Sequence, residues 1–312
     1  TRASSYSASG PYEIPNAWID AYSLYTNKPY GTAYRGFGHV EFHWAVERHM
    51  ELIATAIGMD PLEFRLKNLL KPGSISLTGE EITKDTGNVV KCVETAAKMV
   101  NYGKLTDEEK AREKRTGWKI GKGVAALHKA PAMPSFTATS VVIKMNEDGS
   151  VLVNIALTDI GQGTYASIRQ IVAERLGFDI EKIKVAFESD TDRDPYDWQT
   201  VASKGLLLSG NAAILAVEDL LGKAYEVASK ALAANVRDLA HDGTKVFVKH
   251  HPSRFVTFAS MAVGYAMPNG NGIGGPLIGV GRYIAQGLSN LDKETGQGYP
   301  ALDWTYGAHG MI

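Results

Sequence analysis

Between residues 39 and 57 the apolar positions Val40, Trp44, Met50, Ile53, Ala54 and Ile57 recur near helical spacing, which predicts a helix closed by Gly58. Asp60-Pro61 starts another: an N-cap residue, then proline at the first helical position. That helix runs to about Leu70, where Pro72-Gly73 stops it. Asn88 can cap a third helix over residues 89–100. From Asp107 to Arg115 the chain is almost wholly charged, so an exposed helix or linker is expected. Residues 1–37 carry Pro11, Pro15 and Pro29 and read as extended and loop-rich, and residues 74–88 as a polar loop.

Past residue 118 the period changes. Residues 124–127, 137–145 and 151–157 read as strands, with a hairpin turn at Glu147-Asp148-Gly149. A helix over 164–176 ends at Gly177, a strand follows at 183–188, and a long Ala- and Leu-rich helix spans 203–234. A short strand is expected at 246–249 and a long glycine-rich loop at 264–281. Residues 282–288 and 303–308 read as strands whose partners are expected outside this chain. The pattern predicts an α+β protein of mixed sheets with packed helices, divided near residue 118 into 1–118 and 119–312.

The chain has 312 residues, 44% hydrophobic and 21% charged, which is enough for a real core. A net charge of −1 favours neither nucleic acid nor an anionic membrane as partner. Cys92 is the only cysteine, so an intrachain disulfide and a thiolate zinc or iron–sulfur site are excluded, and a reducing, cytoplasmic setting is expected. No unbroken apolar run reaches the roughly 18 residues of a membrane span. Thr1-Arg2-Ala3 at one end and Gly310-Met311-Ile312 at the other suggest an excised segment. His39 and His43 stand at i and i+4 without an HExxH motif, His49 falls on another helix face, and His250-His251 would point apart in a strand, so no protein-ligated metal is expected. Ser260 lacks the context of a nucleophile elbow.

Four glycine-rich stretches carry candidate chemistry. Ala33-Tyr34-Arg35-Gly36-Phe37-Gly38 precedes a helix and suits an anion, or is a turn in which Arg35 pairs with a carboxylate. Asp159-Ile160-Gly161-Gln162-Gly163-Thr164 joins strand to helix and either cradles a ligand or is a turn in which Asp159 caps the helix. Thr200 through Gly205 precedes the longest helix, as ligand contact or as a capped helix start. Gly270 through Gly275 matches GxGxxG but follows no clear strand, so it reads as a glycine loop rather than a nucleotide site.

Three segments together resemble a known family. Gly31 through Gly38, Glu47-Arg48 and Asp60 through Asn68 are similar to the first molybdopterin-binding segment of the xanthine dehydrogenase and aldehyde oxidoreductase family. Gly161-Gln162-Gly163 with Gln170 through Gly177 resembles the second, and Asp190-Thr191-Asp192, Pro195-Tyr196, Ala202-Ser203 and Gly210-Asn211-Ala212 continue it in order.

The resemblance implies molybdopterin-binding domains of the molybdenum hydroxylase type, the two parts of the chain each being part of one. It implies a molybdenum cofactor, as the cytosine dinucleotide, with the metal held through the pterin dithiolene and not by protein ligands. Ala33, Tyr34, Arg35 and Gly36 would lie at the cofactor, and Phe37 would stack on an aromatic substrate. Gly161, Gln162, Gly163 and Thr164 would bind pterin or phosphates, with Thr200, Ala202, Ser203 and Lys204 on the other side. Arg2 sits near the position of a substrate-orienting arginine, one residue out of register. The family's glutamate base and an upstream Gly-Gly-Phe-Gly-Gly loop have no counterpart here, so the chain would supply about half of the site. The implied reaction oxidises an N-heterocycle or aldehyde, inserting water-derived oxygen and passing hydride to the molybdenum centre. Iron–sulfur clusters, and FAD where the complex carries it, would sit on partner subunits. Alternatives are a reductive dehydroxylase of an aromatic thioester and a non-catalytic cofactor-binding module.

Overall fold

The computed structural model describes residues 4–5, 7–31, 34–131, 134, 137–301 and 304–312. Arg2 and Ala33 lie outside them. The helices are α1 Val40–Ala56, α2 Pro61–Asn68, α3 Val89–Met99, α4 Asp107–Thr116, α5 Thr164–Leu176, α6 Lys204–Leu232 and α7 Phe258–Met261. The strands are β1 Gly123–Lys129, β2 Ala138–Met145, β3 Val151–Ile155, β4 Ile183–Val185, β5 Leu239–His241, β6 Lys245–Val248, β7 His251–Thr257, β8 Tyr265–Ala266, β9 Gly272–Ile273, β10 Ile278–Ile284 and β11 Thr305–Met311. This is the expected α+β composition. Two compact units result, Thr1–Pro134 with Gly287–Ile312, and Ser135–Gln286. A single cut near residue 118 does not describe them, because β1 pairs with β11 near the chain's end and both pack on α3 in the first unit.

The first unit is built from well-capped helices. Asp60 Oδ1 accepts the N–H groups of Leu62 (2.9 Å) and Glu63 (3.0 Å), and Asn88 Oδ1 accepts that of Lys91 (2.9 Å). Thr106 and Glu109 form a reciprocal capping box on α4, which buries none of its residues. Tyr12, Leu69, Val89, Val93, Val124 and Ala126 form the core. A buried polar knot ties its elements together. Glu47 on α1 accepts from Arg65 Nε on α2 (2.8 Å), from the backbone of Ala126 on β1 (3.1 Å), and from the phenol of Tyr12.

Three histidines meet in this unit. His43 Nδ1 lies 2.6 Å from the carbonyl of His39, and its Nε2 lies 3.2 Å from the backbone N of His128. Only the neutral ring with hydrogen on Nδ1 satisfies both, since a proton on Nε2 would face the His128 N–H. His128 stacks on Trp304 at 4.3 Å. Burial, then the charges of His43 and Lys129, lower the pKa of His39 from 6.5 to about 4. Burial lowers His43, and holds His128 well below its usual range with His43 and His39 adding to it. The unfolded chain then binds protons that the folded one refuses, so stability is present above the ordinary histidine pKa and falls as pH drops from 6.5 towards 4. His39 alone should contribute up to about 1.4 kcal/mol per pH unit in that window. Thermal unfolding at pH 7, 6 and 5 checks this, and a flat profile contradicts it.

In the second unit β10, β2, β3 and β4 form a four-stranded sheet in that order. The β2–β3 turn expected at residues 147–149 makes an antiparallel hairpin, and α5 carries the chain over to β4, parallel to β3. α6 is long and apolar enough to cross a membrane by length and composition, yet it is the core helix here. Its Leu208, Ala212, Ala213, Ala216 and Leu220 are buried, most of them in one cluster with Val141, Ile143, Val153 and Ile168. A second sheet orders β5, β6 and β7.

Two expectations are corrected. The stretch 264–281 is not one loop. It holds the small β8–β9 hairpin and the first half of β10. Gly270 through Gly275 lies in that hairpin, and the next element is a strand, so no helix start is present to receive a pyrophosphate. The last two strands find their partners within the chain, β10 on β2 and β11 on β1.

Candidate functional site

The second unit brings two of the candidate loops together. After β3 the chain turns through residues 158–163 into α5, with Gly161 (φ 98°) and Gly163 (φ 82°) in the left-handed region. A Cβ at either glycine would meet nothing within 4 Å, so their faces are open. The N–H groups of Ile160, Gly161 and Gly163 in this turn are already used. Asp159 Oδ1 accepts from the N–H of Gly161 (2.8 Å) and of Gly163 (3.3 Å), and Oδ2 from that of Tyr165 (3.2 Å). Those bonds, Gly161's first, hold its carboxyl below the usual carboxylate range. Asp159 thus caps α5 and fills the place an anion would take at the helix start. Gln162 folds over the same turn. Its Oε1 accepts from Ile160 N–H (2.7 Å) and its Nε2 donates to Thr164 Oγ1 (2.6 Å).

The second loop runs from residue 190 into α6. Thr200 Oγ1 donates to the carbonyl of Thr158 at 2.6 Å and fastens this loop to the first. Ala202 is held at φ 56°, a strained backbone for a residue with a Cβ. Ser203 precedes α6 without a side-chain cap bond to it. Lys204 does not point outward: its Nζ lies 3.1 Å from Asp197 Oδ1, and both side chains are buried. Asp197 had drawn no notice in the sequence, since a lone acidic residue in a polar loop carries no signal of its charge partner.

The third candidate turn belongs to the first unit. Gly36 (φ 82°) and Gly38 (φ 73°) shape residues 35–39 ahead of α1. The Gly36 carbonyl accepts from His39 N–H (2.7 Å) and Val40 N–H (3.1 Å), so two donors at this helix start are internally used. Arg35 is exposed and makes no ion pair with a described carboxylate. Tyr34 and Phe37 present exposed rings. Among the described residues no group of three His, Cys, Asp or Glu side chains could hold a metal ion.

The two loops of the second unit therefore offer open glycine faces, hydroxyls and backbone carbonyls. Such a donor set fits a polar organic ligand that brings its own metal ligands, since it needs hydrogen bonds and close backbone approach from the protein. A family model described as molybdopterin cofactor-binding domain matches residues 95–312, and a second with the same description matches residues 1–69. The chain belongs to this molybdopterin-binding family. The resemblance to the xanthine dehydrogenase and aldehyde oxidoreductase family is thereby borne out. The chain is 32% identical over 237 residues to the 6-hydroxypseudooxynicotine dehydrogenase complex subunit gamma of Paenarthrobacter nicotinovorans, covering 74% of this chain and 29% of that protein. It is 31% identical over 209 residues to the xanthine dehydrogenase molybdenum-binding subunit of Escherichia coli O157:H7, covering 65% and 27%. Its fold matches a reconstituted CO dehydrogenase from Oligotropha carboxidovorans with a TM-score of 0.67 at 28% identity, over 82% of this chain and 34% of that one. This molybdopterin-binding chain thus spans about a third of the length of the proteins it matches.

Proposed function

We propose that the chain is the cofactor-holding portion of a molybdenum hydroxylase that oxidises an N-heterocycle or an aldehyde. The observation that carries the reading is the Thr200–Thr158 bond, which joins two loops 42 residues apart in the chain with the open faces of Gly161 and Gly163 beside it. A molybdenum–pterin group bound there supplies the two-electron redox chemistry. This chain's part is to bind and orient. Gly161 and Gly163 allow close approach of a flat ligand, Gln162 keeps one Oε1 lone pair to accept a heterocycle N–H while its Nε2 stays bonded within the turn, and the turn 200–203 presents its backbone and hydroxyls. In the other unit the 34–37 turn offers backbone at Tyr34 and Arg35 and the ring of Phe37 for an aromatic substrate. Ala33 and Arg2, both outside the described residues, are proposed as further contacts, Ala33 to the cofactor and Arg2 to the substrate.

The cytosine dinucleotide form is the ligand proposed, in a cytoplasmic complex with an iron–sulfur subunit. Exposed aromatic rings at Trp18, Tyr22, Tyr25, Tyr30, Tyr34 and Trp44 support partners that cover this part of the first unit.

Metal analysis of the complex carrying this chain, with fluorescence of the oxidised pterin it releases, tests the reading. Both should be present, and Thr200→Val should cut pterin retention roughly tenfold by freeing one loop from the other. A complex with neither molybdenum nor pterin overturns the reading. Turnover of aldehydes and N-heterocycles with an artificial acceptor tests the substrate class. Activity confined to aromatic thioesters with a low-potential donor replaces it with the reductive reaction.

A further inference from the structure

Asp197 lies outside every glycine motif, yet it is the most deeply buried carboxylate next to the proposed site. Its side chain is 1% exposed and that of Lys204 is 3% exposed, with 3.1 Å between Oδ1 and Nζ. Lys204 Nζ also lies 6.0 Å from the centroid of the Trp198 ring. The second oxygen, Oδ2, is buried without a hydrogen-bond partner among the described residues. An isolated buried ion pair adds little net stability over well-packed apolar side chains, and an unsatisfied carboxylate oxygen weakens it further. Holding the fold is a poor reason to keep such a pair.

Its position supplies a better one. Asp197 and Lys204 are seven residues apart in the chain, so their pair straps both ends of the turn that carries Thr200, Ala202 and Ser203. The near end is fixed to β2, where Ser140 N–H donates to the Tyr196 carbonyl (3.2 Å) and Thr139 bridges Asp197. The far end is the first residue of α6. Between them Ala202 holds φ 56°, a conformation that a residue with a Cβ keeps only when its surroundings over-determine it.

We propose that Asp197 is a positioning residue. Through Lys204 it sets the shape of the 200–203 turn, so that the turn meets the pterin in a fixed geometry. On this account Lys204 acts through its pair and not as a direct cationic contact. The inference rests on the cofactor reading above.

The test uses the intact complex with wild-type chain, Asp197→Asn, Asp197→Glu, and the double variant Asp197→Leu with Lys204→Met. Pterin retained after dialysis is read beside the thermal unfolding midpoint. Asp197→Asn should lose both stability and cofactor. The apolar double variant should regain the wild-type midpoint while retaining roughly tenfold less pterin. Asp197→Glu, which keeps the charge but lengthens the strap, should fold and also retain less. Retention that simply follows the midpoint across the variants overturns the positioning role and leaves the cofactor reading intact, and so does wild-type retention in Asp197→Glu. A wild-type complex without pterin overturns both.

Discussion

Glu47→Ala is expected to cost about 3–5 kcal/mol of stability, enough to unfold the first unit under mild denaturant. The reason is what the carboxylate leaves behind. Arg65 would remain buried with its Nε unpaired, and its Nη2 would keep only the Glu47 carbonyl at 3.0 Å. The N–H of Ala126 on β1 and the phenol of Tyr12, both at buried positions, would lose their acceptor as well. Burial and the nearby Glu47 raise the pKa of Tyr12, so the phenol is a donor at every physiological pH. Glu51→Ala is the control. It also pairs with Arg65, at 3.1 Å, but its side chain is 40% exposed, and its loss should cost less than about 1 kcal/mol. Urea or guanidinium midpoints of the two variants decide the matter. Similar values would mean that the knot is not what joins α1, α2 and β1.

Gly281→Ala should destabilise the second unit by about 3 kcal/mol or more, although it adds one methyl group. A Cβ at Gly281 would lie 1.8 Å from the carbonyl oxygen of Ala212 and 2.5 Å from the amide nitrogen of Ala216, both backbone atoms of α6. Helix backbone cannot rotate aside as a side chain can, so α6 must lift from β10. Gly279 meets the same obstacle, with the Ala216 oxygen at 2.0 Å. The opposite sign is expected at Gly222, inside α6 with nothing within 4 Å of an added Cβ. There alanine should stabilise by roughly 0.5–1 kcal/mol through helix propensity and a less flexible unfolded chain. Because Lys204 begins α6, Gly281→Ala should also lower pterin retention, whereas Gly222→Ala should leave it unchanged. Thermal unfolding and pterin content of the two variants would show whether space or composition governs these glycines.

Helices were legible because their signals are local. Asp60-Pro61 and Asn88 each satisfy orphan donors within one turn, so residue type and spacing were sufficient, whereas the Thr106/Glu109 box that settles residues 107–116 as a helix was not read. Strands were legible where one face is buried, as in β2 and β3. β7 was missed because its first five residues are all exposed, which leaves no alternation to read. β10 was partly read as loop, since Gly279 and Gly281 usually mark turns. There they exist for the approach of a helix more than 60 residues away in the chain, and no local pattern encodes that distance.

The site divides in the same way. The order of glycine motifs, and with it the family, could be read from the chain alone. Which donors remain open to a ligand could not. Asp159 takes the N–H groups that an anion would need, and Asp197 takes the charge of Lys204. A side chain's type sets which bonds it can make. Only the folded distances choose among partners, because electrostatic and hydrogen-bond energies fall steeply over a few ångströms and burial decides which charges must be paired.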